Sequence, residues 1–199
     1  MNTQVAAILL AAGESRRMGK ENKLFLEVKG EPMILRPIRS LLTAGVDELV
    51  IVLNPENDLL LDSFSLRGVV RVINPDHRKG MTTSIQKGVA ACGADVAGYM
   101  ICMSDQPFLE AGEYDHLLNE FRTIIEKDPA AIAVPYFQEK KGNPVIFSSA
   151  YRESILIHGE MEGCRGIIMN NSNHVHRVEM PSGAIHRDID TPDDYRSIS

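Results

Sequence analysis

Val5-Ala6-Ala7-Ile8-Leu9-Leu10-Ala11-Ala12-Gly13-Glu14-Ser15-Arg16-Arg17-Met18-Gly19, followed by Lys23, decides the fold of this chain. The first half is an unbroken apolar run, long enough to cross a sheet that is buried on both faces. The polypeptide then enters Ala-Ala-Gly, where small side chains let backbone N–H groups approach an anion closely. Arg16, Arg17 and Lys23 supply the opposing charge, the arginines as planar forks of donors and the lysine as a mobile point charge. An ordinary strand-to-helix turn with a solvated basic rim is the alternative for Ala-Ala-Gly alone. The clustering of cations beside it favours an anion site. Neither Gly-x-x-x-x-Gly-Lys-Ser/Thr nor, in this loop, Gly-x-Gly-x-x-Gly occurs, which disfavours a P-loop kinase and an NAD-binding dehydrogenase.

Outward from this strand, near residues 4–10, apolar runs and helix-period segments alternate. The spacing predicts helices near 32–44, 56–63, 81–92 and 112–126 and strands near 48–53, 69–73 and 98–103. Strands near 130–136 and 143–147 follow, joined by the polar, glycine-ended connection Gln138 to Gly142. Helices at 148–156 and 163–170, a strand at 174–179 and a last helical turn capped by Thr191 with Pro192 at its first position complete the pattern. Alternating β and α units of this kind build a mostly parallel sheet with helices on both faces.

The 199 residues, 44% of them hydrophobic, suffice for one domain over residues 1–199 with a substantial core. A net charge of −6 argues against a nucleic-acid partner, while a local cluster of cations still suits a small anion. No apolar run approaches membrane-spanning length, and Met1 to Gln4 leads into a strand without a signal-peptide layout, so cytoplasmic residence and no membrane partner are expected. Cys92, Cys102 and Cys164 suit buried free thiols rather than a disulfide framework or zinc site. His174 and His176 alternate on one strand face without zinc-ligand spacing and, with the other histidines, read as surface residues.

An open parallel sheet binds its ligand beyond the carboxyl ends of its strands. There the sequence places the basic loop, then Asn54-Pro55, Asn74-Pro75-Asp76 and Ser104-Asp105-Gln106-Pro107. Asp105 ends a wholly apolar strand and suits Mg²⁺, which takes one or two protein carboxylates and fills its other positions with water and phosphates. Its alternative is capping of the helix after Pro107. In Asp188-Ile189-Asp190-Thr191-Pro192-Asp193-Asp194, Asp188 and Asp190 share one strand face, and Asp190 is a candidate second metal ligand. Asp193 and Asp194 belong to the helix. Gly80-Met81-Thr82-Thr83-Ser84 opens a helix whose donors suit a phosphate, ribose or base edge. Asn54 and Asn74 are base or ribose candidates by their place after strands. Lys141-Gly142-Asn143-Pro144 is either an acceptor contact or a solvated turn, and Ser148-Ser149 reads as a helix cap.

Taken in order, Leu9 to Gly19 with Lys23, Gly80 to Ser84, Ser104 to Pro107, Lys141 to Pro144 and Asp188 to Tyr195 resemble the molybdenum cofactor cytidylyltransferase group of MobA/MocA-like nucleotidyltransferases. The resemblance extends from the first strand to the last helix. It implies a three-layer α/β/α architecture with a mostly parallel mixed sheet, the nucleotide-diphospho-sugar transferase (glycosyltransferase-A-like) fold. It implies attack by the terminal phosphate of molybdopterin on the α-phosphorus of CTP, releasing pyrophosphate, with Mg²⁺ as cofactor. Leu10, Ala11, Ala12, Gly13, Arg17 and Lys23 would hold the triphosphate, Gly80 and Ser84 the nucleoside. Lys23, Arg17 and Asp105 would be catalytic, and Asp105 with Asp190 would carry the metal. Ala12 before Gly13 resembles the CTP-using branch, where the GTP-using branch has Gly-Gly. A molybdenum hydroxylase apoenzyme is the implied client. Two departures leave alternatives. Four residues separate Met18 from Lys23, making Lys20 a competitor for its role, and Gly159 to Arg165 carries one residue more than the related family element. Another phosphorylated acceptor such as a sugar phosphate, or a non-catalytic cofactor carrier, therefore stays open.

Overall fold

The apolar run Val5–Ala11 forms strand β1, buried at every residue. In the computed structural model, residues 2–15, 22–64, 66–159 and 163–198 are described. After β1 come a short hairpin, β2 (Glu27–Val28) and β3 (Glu31–Pro32), then α1 (Leu35–Thr43), β4 (Glu48–Leu53), α2 (Pro55–Leu61) and β5 (Val69–Ile73). Helix α3 (Met81–Ala91), β6 (Gly98–Met103), α4 (Ala111–Ile125), β7 (Ile132–Phe137), β8 (Lys140–Lys141) and β9 (Val145–Ser148) follow. The chain closes with α5 (Arg152–Ile157), α6 (Arg165–Asn170), β10 (Val175–Glu179) and α7 (Pro192–Arg196).

The main sheet runs β10-β7-β9-β6-β1-β4-β5, with β8 added to β7. Strand β1 is central, parallel to β4 on one side and β6 on the other. Strand β9 runs antiparallel between β6 and β7, so the sheet is mixed. Successive residues of β1 feed two cores. Val5, Ala7, Leu9 and Ala11 pack with Ile38, Leu41, Leu117 and Phe121 of α1 and α4. Ala6, Ile8 and Leu10 pack with Ile85, Val89, Ile155 and Ile167 of α3, α5 and α6. Burial on both faces is why β1 shows no polar alternation.

Several boundaries move for identifiable reasons. The helix expected from residue 32 begins at Leu35, because Glu31–Pro32 pairs with β2 and the Met33 and Ile34 N–H groups donate to the carbonyls of Leu26 and Leu24 at 2.8 and 2.9 Å. The helix expected at 148–156 splits into a 3₁₀ turn, Ser149–Tyr151, and α5, with Ser148 Oγ accepting from the Ala150 N–H as a cap. The expected connection ending at Gly142 turns earlier, at Gln138 and Glu139, which have φ of 48° and 65°. His174 and His176 are not simply solvated. Both rings lie against the Asp128 carboxylate, at 2.9 and 2.8 Å, joining β10 to the end of the α4–β7 connection. The three cysteines are buried and none is in a disulfide; burial pushes Cys92 up to about 12 and Cys102 higher still. Among the described residues no helix is long and apolar enough to cross a membrane.

Candidate functional site

Beyond the carboxyl ends of β1, β5 and β6 lies a cleft of about 530 Å³. One wall is the loop after β1, from Ala12 to Ser15, and the other is the segment from His77 to Ser84 leading into α3. Its floor carries Lys23, Ser104, Asp105, Asp188 and Asp190.

Two buried asparagines hold the first wall. Asn54 caps α2 by accepting from the Asn57 N–H at 2.8 Å and turns its amide to the Ala12 carbonyl at 3.1 Å. Asn57, fully buried, donates to the Ala11 carbonyl at 2.6 Å. The carbonyl oxygens of this loop are thereby drawn toward α2, away from any anion the loop receives. Asn54 is consequently a positioning residue and not the ligand contact expected of it, since its side chain is buried and spent on the backbone. Ala11 is likewise set behind the wall, as the last residue of β1, whereas Leu10, Ala12 and Gly13 face the cleft.

The opposite wall repeats the device. Asn74, fully buried, donates to the hydroxyls of Thr83 at 2.9 Å and Ser84 at 3.0 Å and so fixes the first turn of α3. Its expected contact with base or ribose is corrected in the same way. Gly80 takes φ 115°, a conformation costly for a side-chain-bearing residue, and with Ser84 it lines the cleft. Asn57, His77 and Arg78 were not singled out from the sequence. Asn54-Pro55-Glu56-Asn57 carries a helix-start signal, but nothing in it points across to a loop more than forty residues earlier.

On the floor, the Lys23 ammonium lies 2.7 Å from Asp105 Oδ2 and 2.7 Å from Asp190 Oδ1. Burial works against its charge, but the attraction and hydrogen bond of Asp105 and the contacts with Asp190 outweigh it, so the lysine pKa is raised. Asp105 caps no helix, because α4 begins at Ala111 under a capping box formed by Glu110 and Glu113. Its Oδ1 is buried without a hydrogen-bond partner. Asp188 faces the same cleft, held by Gln106 at 2.7 Å. Burial raises its pKa, opposed by the Gln106 hydrogen bond and reinforced by the charges of Asp105 and Asp190. Thr191 and Asp194 form the capping box of α7, as expected for the last helix. Arg16, Arg17, Lys20 and residues 160–162 lie outside the described residues.

A cation fits this floor. Two carboxylate oxygens converge on one nitrogen, and a third oxygen, Asp105 Oδ1, is buried and unsatisfied. Among the described residues no group of three or more His, Cys, Asp or Glu side chains forms a complete metal cage. Mg²⁺ needs none, since it keeps several water or phosphate ligands.

A second, more apolar hollow of about 290 Å³ adjoins the cleft, sharing Met81 and Met103 with it. Tyr136, Lys141, Asn143, Cys164 and Arg165 line it. The Lys141 to Asn143 turn and the start of α6 thus meet in one place.

Residues 7–176 match the family model of the MobA-like NTP transferase domain. The chain is 30% identical over 200 residues to the purine catabolism protein PucB of Bacillus subtilis (strain 168), covering 94% of this chain and 92% of that protein. It is 24% identical to a probable molybdenum cofactor guanylyltransferase of Mycobacterium avium (strain 104), over 98% and 95% of the two chains. The crystal structure of Rv0371c from Mycobacterium tuberculosis H37Rv superposes with a TM-score of 0.80 at 23% identity, over 99% and 98% of the chains. The chain belongs to the MobA-like NTP transferase family and is a nucleotidyltransferase.

Proposed function

We propose that the chain transfers the cytidylyl group of CTP to the terminal phosphate of molybdopterin, forming the molybdopterin cytosine dinucleotide and pyrophosphate. The observation that carries this reading is Lys23, held between Asp105 and Asp190 on the floor of a cleft whose walls are fixed by buried asparagines. An oxygen of the acceptor phosphate forms a bond to the α-phosphorus while the bond from that phosphorus to the bridging oxygen of the β-phosphate breaks. The protein's share is alignment and charge neutralisation. Lys23 approaches the α-phosphate, Arg17 and the Ala12–Gly13 loop take the remaining phosphates, and Gly80 and Ser84 face the nucleoside. Asp105 and Asp190 would hold Mg²⁺, which when bound neutralises phosphate charge. Molybdopterin occupies the adjoining hollow, where Tyr136 offers an aromatic wall and Lys141 and Arg165 offer cations. A molybdenum hydroxylase apoenzyme receives the product.

CTP is preferred to GTP on the strength of Ala12, which stands where the guanylyl pattern has glycine and lines the cleft. The test is incubation with each of the four nucleoside triphosphates, Mg²⁺ and molybdopterin, with product identification by mass spectrometry. Pyrophosphate release and dinucleotide formation with CTP are expected. Comparable turnover with GTP would remove the cytidylyl assignment, and transfer to a sugar phosphate but not to molybdopterin would change the acceptor.

A further inference from the structure

The cleft has a carboxylate where a polyanion site tolerates one poorly. Glu14 directly follows Gly13 on the first wall, and left alone its charge would repel a triphosphate. It is answered from the opposite wall. Arg78 Nε donates to Glu14 Oε1 at 2.8 Å, and His77 Nε2 lies 3.5 Å from the same oxygen. The bridge joins residues 64 apart in sequence and connects the two walls of the cleft. His77 is anchored, 13% exposed, with Nδ1 3.2 Å from the Asn74 carbonyl oxygen, on the residue that also fixes the start of α3. Arg78 is 74% exposed, so Glu14 holds a side chain with little packing of its own.

We propose that Arg78 is a further triphosphate-binding residue, held within reach of the cleft by Glu14 and transferred to the β- and γ-phosphates when nucleotide enters. An exposed ion pair is a weak contact, while a guanidinium facing two phosphate oxygens makes two charge-assisted hydrogen bonds. The exchange is therefore downhill for a triphosphate and not for a nucleoside monophosphate, which lacks the distal phosphates. Glu14 sets the cost of the exchange and so the affinity. This rests on the nucleotide reading of the cleft.

Equilibrium binding of CTP, CMP and inorganic triphosphate to the wild type, Arg78→Met, Glu14→Gln and the double variant tests it. Arg78→Met is expected to weaken CTP and inorganic triphosphate about tenfold and CMP hardly at all. Glu14→Gln, which releases Arg78, is expected to tighten CTP about threefold, and the double variant to behave as Arg78→Met. Equal weakening of CTP and CMP in Arg78→Met, or a Glu14→Gln variant that binds CTP no better than the wild type, would overturn the assignment while leaving the nucleotide reading standing. A wild type that binds no nucleoside triphosphate would overturn both. Both residues lie on the cleft surface, and a melting curve for each variant confirms that it is folded.

Discussion

At the scale of single residues, the site turns on how three charges share a small volume. Lys23 is 13% exposed and Asp105 15%, so their 2.7 Å contact is shielded from solvent, while Asp190 at 32% reaches further into the cleft. A buried ammonium between two carboxylates stays charged, as its raised pKa requires, and Asp105 Oδ1, buried without a hydrogen-bond partner, is left for another cation. Asp105→Asn isolates that second use. The amide keeps the shape of the side chain and still accepts from Lys23, and no helix depends on Asp105 for its cap. The variant should fold, lose roughly a hundredfold or more in turnover and need more Mg²⁺ for what activity is left. A titration of rate against Mg²⁺ is the measurement, and a curve matching the wild type would exclude Asp105 as a metal ligand. Asn54 and Asn74 carry the opposite lesson. A polar residue after a parallel strand stands in the right neighbourhood for a ligand, yet both amides turn inward because the loops beside them have backbone and hydroxyl groups that must be satisfied.

Among the elements, α3 is the one whose seating governs the cleft, because Gly80 to Ser84 form one wall and the rest of the helix lies on β1 and β4. The approach is closest at Gly88. A Cβ there would meet Ile8 Cγ2 at 2.3 Å, closer than real Cβ contacts come, and Val52 Cγ2 at a tight 3.1 Å. Alanine at this position gains up to about 1 kcal/mol of helix propensity but forces the helix off the sheet. Overpacking of this kind typically costs about 1–3 kcal/mol. Gly88→Ala is therefore expected to lower the midpoint of urea unfolding, and to weaken nucleotide binding as the α3 wall moves. A midpoint at or above that of the wild type would show that the helix has room to shift.

For the whole molecule, the cleft exists only when distant segments meet: the β1 loop, the turn before α3, the end of β6 and the Asp188–Asp190 segment, whose Ile189 N–H donates to the Asp105 carbonyl at 3.0 Å. A ligand of this site binds the folded chain and has little to hold on the unfolded one, so CTP with Mg²⁺ at about a hundred times its dissociation constant should stabilise by about 2.7 kcal/mol. For a chain of this size that raises the melting temperature by about 5–10 °C. Thermal melts with CTP, CMP and no nucleotide check it, and identical curves would show that the folded chain does not bind CTP. The sheet, and the edge at which the polar residues after its strands gather, were legible in the sequence. Val5–Ala11 is apolar without alternation, which only a strand buried on both faces requires, and the polar residues after β1, β4, β5 and β6 could be read as sharing one edge because parallel strands end alike. The sequence also marked Lys23, Asp105 and Asp190 as chemistry-bearing groups. Which polar side chains open into the cleft and which turn into the protein, and that Glu14, Arg78 and Asp188 line the same cleft, came only with tertiary packing. Those choices depend on which buried donors and acceptors need partners once the elements have packed, and local sequence carries no record of such long-range pairs.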